Sequence, residues 1–223
     1  MLHDIINWLH GLVPTYLGWV EDWGYPGVII LMAMESSIFP VPSEIVIPPA
    51  AILAASSGRM SLVGVIIAGT FGSWLGSAIT YWVALLVGRP VILRWGKYFF
   101  ISPDKLERAE RFMRRYEGGG IFFARLLPVI RHLISIPAGI IRMGFVKFSA
   151  LTIVGAAIWC SVLAWLGGKV GDKLRAEGKD PLDPVALVAA VKHESHYIIA
   201  AVLLVCVLYF VAMKLTASKE DVR

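Results

Sequence analysis

From Met60 to Gly88 the chain runs 29 residues without a charge, and Phe148–Gly168 gives a second uncharged run of 21. A helix rising about 1.5 Å per residue needs roughly 20 apolar residues to cross a bilayer, so both runs predict transmembrane helices. A third run, Tyr197–Met213, holds 17 uncharged residues and leans on its flanks to reach that length. Basic residues close the runs: Arg59 and Arg89, Lys147 and Lys169, then Lys214. Hydrophobic residues make up 57% of the chain and charged ones 17%, which points to lipid rather than water as the solvent.

Two other apolar regions fail the length test in the same way. Trp23–Met34 is 12 uncharged residues, followed by Glu35, the break Phe39-Pro40-Val41-Pro42-Ser43-Glu44 and the uncharged run Ile45–Gly58. Gly118–Ala124 leads to Arg125, Pro128 and Arg131, then His132–Ile141. Each half is too short to cross alone, and prolines end helices between the halves. Paired half-helices of this kind predict re-entrant hairpins, whose non-helical tips must be buried in protein or line a wet cavity.

The order is hairpin, span, basic loop, hairpin, span, loop, span. A weak internal repeat accompanies it: Pro49-Ala50-Ala51 matches Pro137-Ala138-Gly139, Gly69 matches Gly155, and Trp74 matches Trp159. One span separates the hairpins, so they enter from opposite faces, which is the inverted-repeat plan of many transporters. The predicted fold is an all-α polytopic membrane protein: an inverted repeat of two re-entrant hairpins, each followed by a transmembrane helix, with interfacial helices and a C-terminal transmembrane helix. Its expected divisions are an N-terminal interfacial or membrane helix over 1–22, a transport core over 23–168, an outer loop over 169–196 and a C-terminal helix and tail over 197–223. Arg89–Arg115 carries eight basic against three acidic residues, which assigns that loop and the C-terminus to the cytoplasm. Pro103–Tyr116 within it predicts an interfacial helix, and Asp183-Pro184 the start of a short surface helix. The expected location is a bacterial cytoplasmic (inner) membrane, crossed several times.

Four charges fall inside the broken segments. One costs about 2.5–3.5 kcal/mol at the bilayer centre, so four unpaired would cost on the order of 10 kcal/mol. Glu35 and Glu44 lie on the first hairpin and Arg125 and Arg131 on the second, so pairing between hairpins is the least costly arrangement. Such pairs can simply lock the hairpins together, yet on stability alone they seldom outdo apolar isosteres. The alternative is a polar midplane site. Arg125 and Arg131 present planar forks suited to a phosphate. Glu35 and Glu44 are candidates to carry protons, since burial disfavours an ionised carboxylate. Ser43 is expected to cap the second half-helix and face an anion, and Pro40, Pro42 and Pro128 shape the hairpin tips.

Other features carry less. The net charge of +5 gathers in loops, not on a soluble basic face, which argues against nucleic acid. Cys160 and Cys206 sit in apolar runs without metal-type spacing, so no metal or cofactor is expected. Gly69, Gly72, Gly76 and Gly88, with Ser73 and Ser77, suit close helix packing. Trp19, Trp23, Trp95 and Tyr98 suit interface anchors. His132 could relay a proton or be an ordinary interior histidine. Standing alone, it is poor equipment for a lipid-phosphate phosphatase, which needs a nucleophile set among basic residues.

The ordered motifs resemble the DedA family, also called the SNARE-associated or VTT-domain family. They are Glu35 with Pro40, Pro42 and Glu44; Gly72-x3-Gly76-x4-Tyr81-x6-Gly88; Phe122-x2-Arg125-x2-Pro128-x2-Arg131; and Ala138-Gly139-x3-Met143-x4-Phe148. The resemblance covers about Gly24 to Gly168. It implies a lipid flippase or scramblase rather than an enzyme, associated in bacterial relatives with undecaprenyl phosphate, phosphatidylethanolamine and the proton-motive force. The family's acidic pair maps onto Glu35 and Glu44, the latter an Asp in many members, and its arginines map onto Arg125 and Arg131. The expected partners are a membrane lipid with a phosphate headgroup and the bilayer itself, with room for a homo-oligomer. A proton-coupled carrier of small ions or drugs is the competing reading.

Overall fold

The computed structural model describes residues 15–37, 43–88, 125–126 and 130–182. These residues are mostly helical, with no strand among them. Helix α1 covers residues 15–23 and turns at Gly24, whose φ of 62° suits a residue without a Cβ, into α2, Tyr25–Glu35. A 3-10 turn, Ser43–Ile45, precedes α3, Ile47–Ser57, which ends at Gly58 in the left-handed conformation. Helix α4, Leu62–Val83, continues as a π turn, Ala84–Gly88. Two short helices, α5 (Ile130–Leu133) and α6 (Ser135–Ile140), lead into α7, Phe145–Ala176.

The two long uncharged runs both form helices of spanning length and apolarity, Leu62–Gly88 and Phe145–Ala176. The first begins where it does because the Ser61 side chain accepts the Gly64 N–H at 3.0 Å, and the Ser61 N–H is in turn held by the Tyr25 hydroxyl at 2.8 Å. Large apolar side chains turn outward along both helices, among them Ile67, Phe71 and Leu86 on α4 and Val146, Val154 and Trp165 on α7. An outer surface this apolar is at home in lipid.

Helix α7 departs from the expected outer loop, which was to begin at Lys169. The chain stays helical through Lys169, Asp172, Lys173 and Arg175 to Ala176. Charge marks where the hydrocarbon ends, not where the helix ends: 32 residues at about 1.5 Å each exceed a hydrocarbon core of roughly 30 Å. The Lys169 ammonium lies 4.3 Å from the Trp165 ring centroid, an aromatic-basic pair suited to the membrane interface. The interfacial helix over 103–116, the surface helix after Asp183-Pro184, the span Tyr197–Met213 and the prolines Pro40, Pro42 and Pro128 lie outside the described residues. Of the N-terminal helix expected over 1–22, the part from residue 15 onward is described and is helical.

Glycines set how closely the helices approach, as their spacing suggests. A Cβ at Gly72 or Gly76 would overlap the backbone carbonyls of Ile29 and Ala33, so α2 lies directly on α4. At Gly69 and Gly88 it would come within 2.6 Å of Ile47 Cδ1 and 2.9 Å of Ile140 Cγ1. Helix α3 packs on the far part of α7, where Gly167 meets Pro48, and α6 packs on the far end of α4, where Gly139 meets the Tyr81 carbonyl.

The core is two apolar clusters. One gathers Val28, Leu31, Ile47, Val65, Cys160 and Leu163 with their neighbours; the other gathers Tyr81, Ile134, Ala138, Met143 and Phe148. Along α4 and α7 a band of buried polar residues separates them: Ser73, Ser77 and Thr152, joined by Glu35, Ser36, Ser43, Arg125, Arg131 and Ser135. The band crosses α4 about halfway along its length.

Candidate functional site

Glu35 is the last residue of α2, and the chain leaves the helix through Ser36 and Ser37, whose N–H groups close back on Met32 and Met34. This ending delivers a carboxylate into the polar band. One oxygen, Oε2, accepts from an Arg131 Nη2 at 3.0 Å and from the Ser36 hydroxyl at 3.4 Å; the other, Oε1, accepts the Ser43 backbone N–H at 3.2 Å. Both partners of the ion pair are almost wholly buried, at 3% and 1% side-chain exposure, so the attraction is little screened and each charge depends on the other. Ser36 also shares a 2.8 Å hydroxyl contact with Ser73 of α4, which ties the end of α2 to the long helix.

Arg131 comes from α5. Its guanidinium carbon lies 5.5 Å from the ring centroid of Trp159, and the Trp159 indole N–H donates to Ser43 Oγ at 3.2 Å. Pair, ring and serine therefore form one connected unit built from α2, the 3-10 turn, α5 and α7. Desolvated contacts between a guanidinium and an indole contribute up to about 2 kcal/mol.

Arg125 has different company. It meets hydroxyls: Nη1 donates to Ser77 of α4 at 2.7 Å and Nη2 to Ser135 of α6 at 2.9 Å. Its guanidinium carbon lies 5.5 Å from the Phe148 centroid, and Phe148 stacks on Tyr81 at 4.7 Å. The Tyr81 hydroxyl donates to the Met143 carbonyl, fixing the turn before α7. Two neutral acceptors satisfy donors without cancelling the charge.

Each guanidinium keeps an idle donor. Arg125 Nε and Arg131 Nη1 are buried and have no hydrogen-bond partner among the described residues. A buried unsatisfied donor costs about 1–3 kcal/mol, more when charged. Native structures retain such groups sparingly, and they commonly mark a place where water, an ion or a ligand sits.

The residues singled out from sequence fare differently. Glu35, Arg125 and Arg131 all enter the buried band. Ser43 enters it too, but not as a cap. The residue before α3 is Val46, with no side-chain capping bond, while Ser43 uses its N–H on Glu35 and its hydroxyl between Trp159 and Glu44, the last at 3.4 Å. The Ser43 hydroxyl, the group a cap would use, is instead engaged by the Trp159 indole N–H and lies three residues before the cap position. Glu44 is half-buried on the 3-10 turn. His132 belongs to α5 by its backbone, and its side chain is outside the described residues. Residues that charge-based reading overlooks are Ser77 and Ser135, which hold Arg125, and the aromatic platforms Phe148 and Trp159. Ser73 and Ser77 carry one usable signal, a four-residue spacing on the glycine-rich face of α4.

Residues 41–169 match the VTT domain. The chain is 35% identical over 206 residues to a Bacillus subtilis protein named undecaprenyl phosphate transporter A, covering 92% of this chain and 96% of that one. A Staphylococcus aureus protein of the same name is 28% identical over 208 residues, with the same coverage of 92% and 96%. A Lactococcus lactis protein named alkaline phosphatase-like protein is 37% identical over 158 residues, covering 69% of this chain and 73% of that one. No solved structure matches the chain.

Proposed function

This chain belongs to the VTT-domain (DedA) family of membrane proteins, and on that footing we propose that it carries a lipid with a phosphate headgroup across the bacterial cytoplasmic membrane. Relatives named for undecaprenyl phosphate support a lipid-carrier role. Undecaprenyl phosphate is accordingly the leading substrate, with a phospholipid second.

The observation that carries the proposal is the pair of idle guanidinium donors. Arg125 Nε and Arg131 Nη1 are buried, charged and unpartnered among the described residues. A phosphate supplies the several acceptor oxygens such donors need. The headgroup occupies the polar band while its tail stays in the lipid beside α4 and α7. Glu35 is the internal competitor for Arg131: while ionised it holds the guanidinium, and on taking a proton it releases it to the phosphate. Glu44, on the turn beside Ser43, is the second candidate proton carrier.

The packing also supports the inverted-repeat reading. Among the described residues two short helices come directly before each long one, with α3 against the far part of α7 and α6 against the far end of α4. Two re-entrant hairpins related in this way rock against one another, opening the band to one face and then the other.

The test is transport of undecaprenyl phosphate by the purified chain in proteoliposomes, with Arg131→Ala beside the unchanged protein. The variant should insert and lose transport; lipid movement at the original rate would remove the phosphate clamp. Inorganic phosphate measured in the same vesicles separates carriage from hydrolysis, the reading that the Lactococcus lactis relative's name invites. Steady phosphate release would replace transport with catalysis.

A further inference from the structure

A third buried polar atom in the band has no partner among the described residues: the Thr152 hydroxyl, on a residue with 0% exposure. A threonine inside a helix ordinarily turns its hydroxyl back to a carbonyl one turn earlier. Thr70, Thr80 and Ser161 all do so in this chain, at 2.7, 3.0 and 2.7 Å. Thr152 does not.

Its place follows from how α4 and α7 pair. Gly69 faces Cys160, where a Cβ on the glycine would lie 3.1 Å from the sulfur, and Tyr81 stacks on Phe148. Twelve residues forward on α4 thus match twelve residues back on α7. The same antiparallel register sets Thr152 opposite Ser77, the residue that holds Arg125. On α7 itself Thr152 lies between Phe148 and Trp159, the rings beneath Arg125 and Arg131, on the buried stripe that all three share.

We propose that the Thr152 hydroxyl is the third donor of the anion site, completing a set with Arg125 Nε and Arg131 Nη1, and that it makes the site selective for a phosphomonoester over a phosphodiester. This rests on the phosphate reading above. A phosphomonoester presents three unsubstituted oxygens, one for each idle donor, whereas a diester presents two. The third oxygen of a diester is an uncharged ester oxygen, a weak acceptor that carries an alkyl group, so the donor it faces is poorly satisfied, and sites built to hydrogen-bond a group reject analogues that lack it. Thr152 has no other hydrogen bond among the described residues to explain its burial, so removing its hydroxyl disturbs nothing in the empty protein.

The experiment is calorimetric binding of farnesyl phosphate and of its methyl ester, which share one tail, to the full chain in nanodiscs. The variants are Thr152→Val, Thr152→Ser and Arg131→Ala. Thr152→Val should weaken farnesyl phosphate on the order of tenfold, the effect of one lost hydrogen bond to a charged group, and leave the methyl ester within about twofold. Its melting temperature without ligand should hold or rise, because an unsatisfied buried hydroxyl has gone. Thr152→Ser keeps the hydroxyl and should keep the preference. Equal losses for both probes, no loss for either, or a lower melting temperature in Thr152→Val would overturn the assignment while Arg131→Ala still abolishes monoester binding. If Arg131→Ala binds both probes like the unchanged chain, the phosphate site itself fails and the assignment falls with it.

Discussion

Breaking the Glu35–Arg131 pair from either side should reveal a large coupling. At an N···O distance of 3.0 Å the charge centres stand roughly 4 Å apart, worth about 4 kcal/mol at an effective dielectric constant near 20. Desolvation offsets much of this in the intact pair, but removing one partner leaves the other buried and alone, at about 3–5 kcal/mol. Glu35→Gln should fall at the lower end, since the amide oxygen still accepts and Arg131 keeps the Trp159 face. Arg131→Met leaves a carboxylate held, among the described residues, by the Ser36 hydroxyl and the Ser43 N–H. The double variant removes both charges and should lose at least about 2 kcal/mol less than the two singles together, at the upper end of couplings between contacting residues. SDS-driven unfolding in mixed micelles, followed by tryptophan fluorescence, measures all four corners of the cycle. Coupling under about 0.5 kcal/mol would show that the pair is a bystander and that its burial has another cause.

Gly76→Ala should destabilise the chain by about 1–3 kcal/mol, because the methyl group meets the Ala33 backbone carbonyl and α2 must move; thermal unfolding in detergent reads this, with Ala78→Ser as a milder control on the same helix. Arg125→Lys should lower transport at least about tenfold while insertion is normal, since one ammonium cannot reproduce a fork reaching Ser77 and Ser135 on separate helices; a transport rate near that of the unchanged chain would remove the need for the fork. Transport should rise as pH falls if Glu35 releases Arg131 on protonation, and Glu35→Gln, which carries no charge at any pH, should flatten that profile. A Glu35→Gln profile as steep as the original would move the proton to another group.

Much of this arrangement could be read from residue order, for identifiable reasons. Long uncharged runs have one economical use, and the two that lie among the described residues form helices of spanning length. The charges of the broken segments had to meet company, and Glu35 found Arg131. What escaped has causes as definite. Counting charges assigns a carboxylate to each arginine, but Arg125 is satisfied by Ser77 and Ser135, and neutral acceptors leave no mark in a charge pattern. Serine before a helix commonly caps it, yet the 3-10 turn Ser43–Ile45 puts Val46 at the cap position of α3 and leaves the Ser43 hydroxyl to the Trp159 indole N–H. Helix α7 outran its uncharged stretch because lysine and arginine are good helix formers once clear of the hydrocarbon.

Satisfying Arg125 with hydroxyls has an electrical consequence. Among the described residues the fully buried charges, Glu35, Arg125 and Arg131, sum to one positive charge, with the Glu44 carboxylate half-buried at the edge of the band. Carrying one charge through the field is worth about 2.3 kcal/mol per 100 mV. A singly charged phosphate brings the band to neutrality. In the proposed transport cycle voltage would act on the empty carrier and leave the loaded one alone, so an inside-negative potential would draw the unoccupied site toward the cytoplasm and its return would appear as a current.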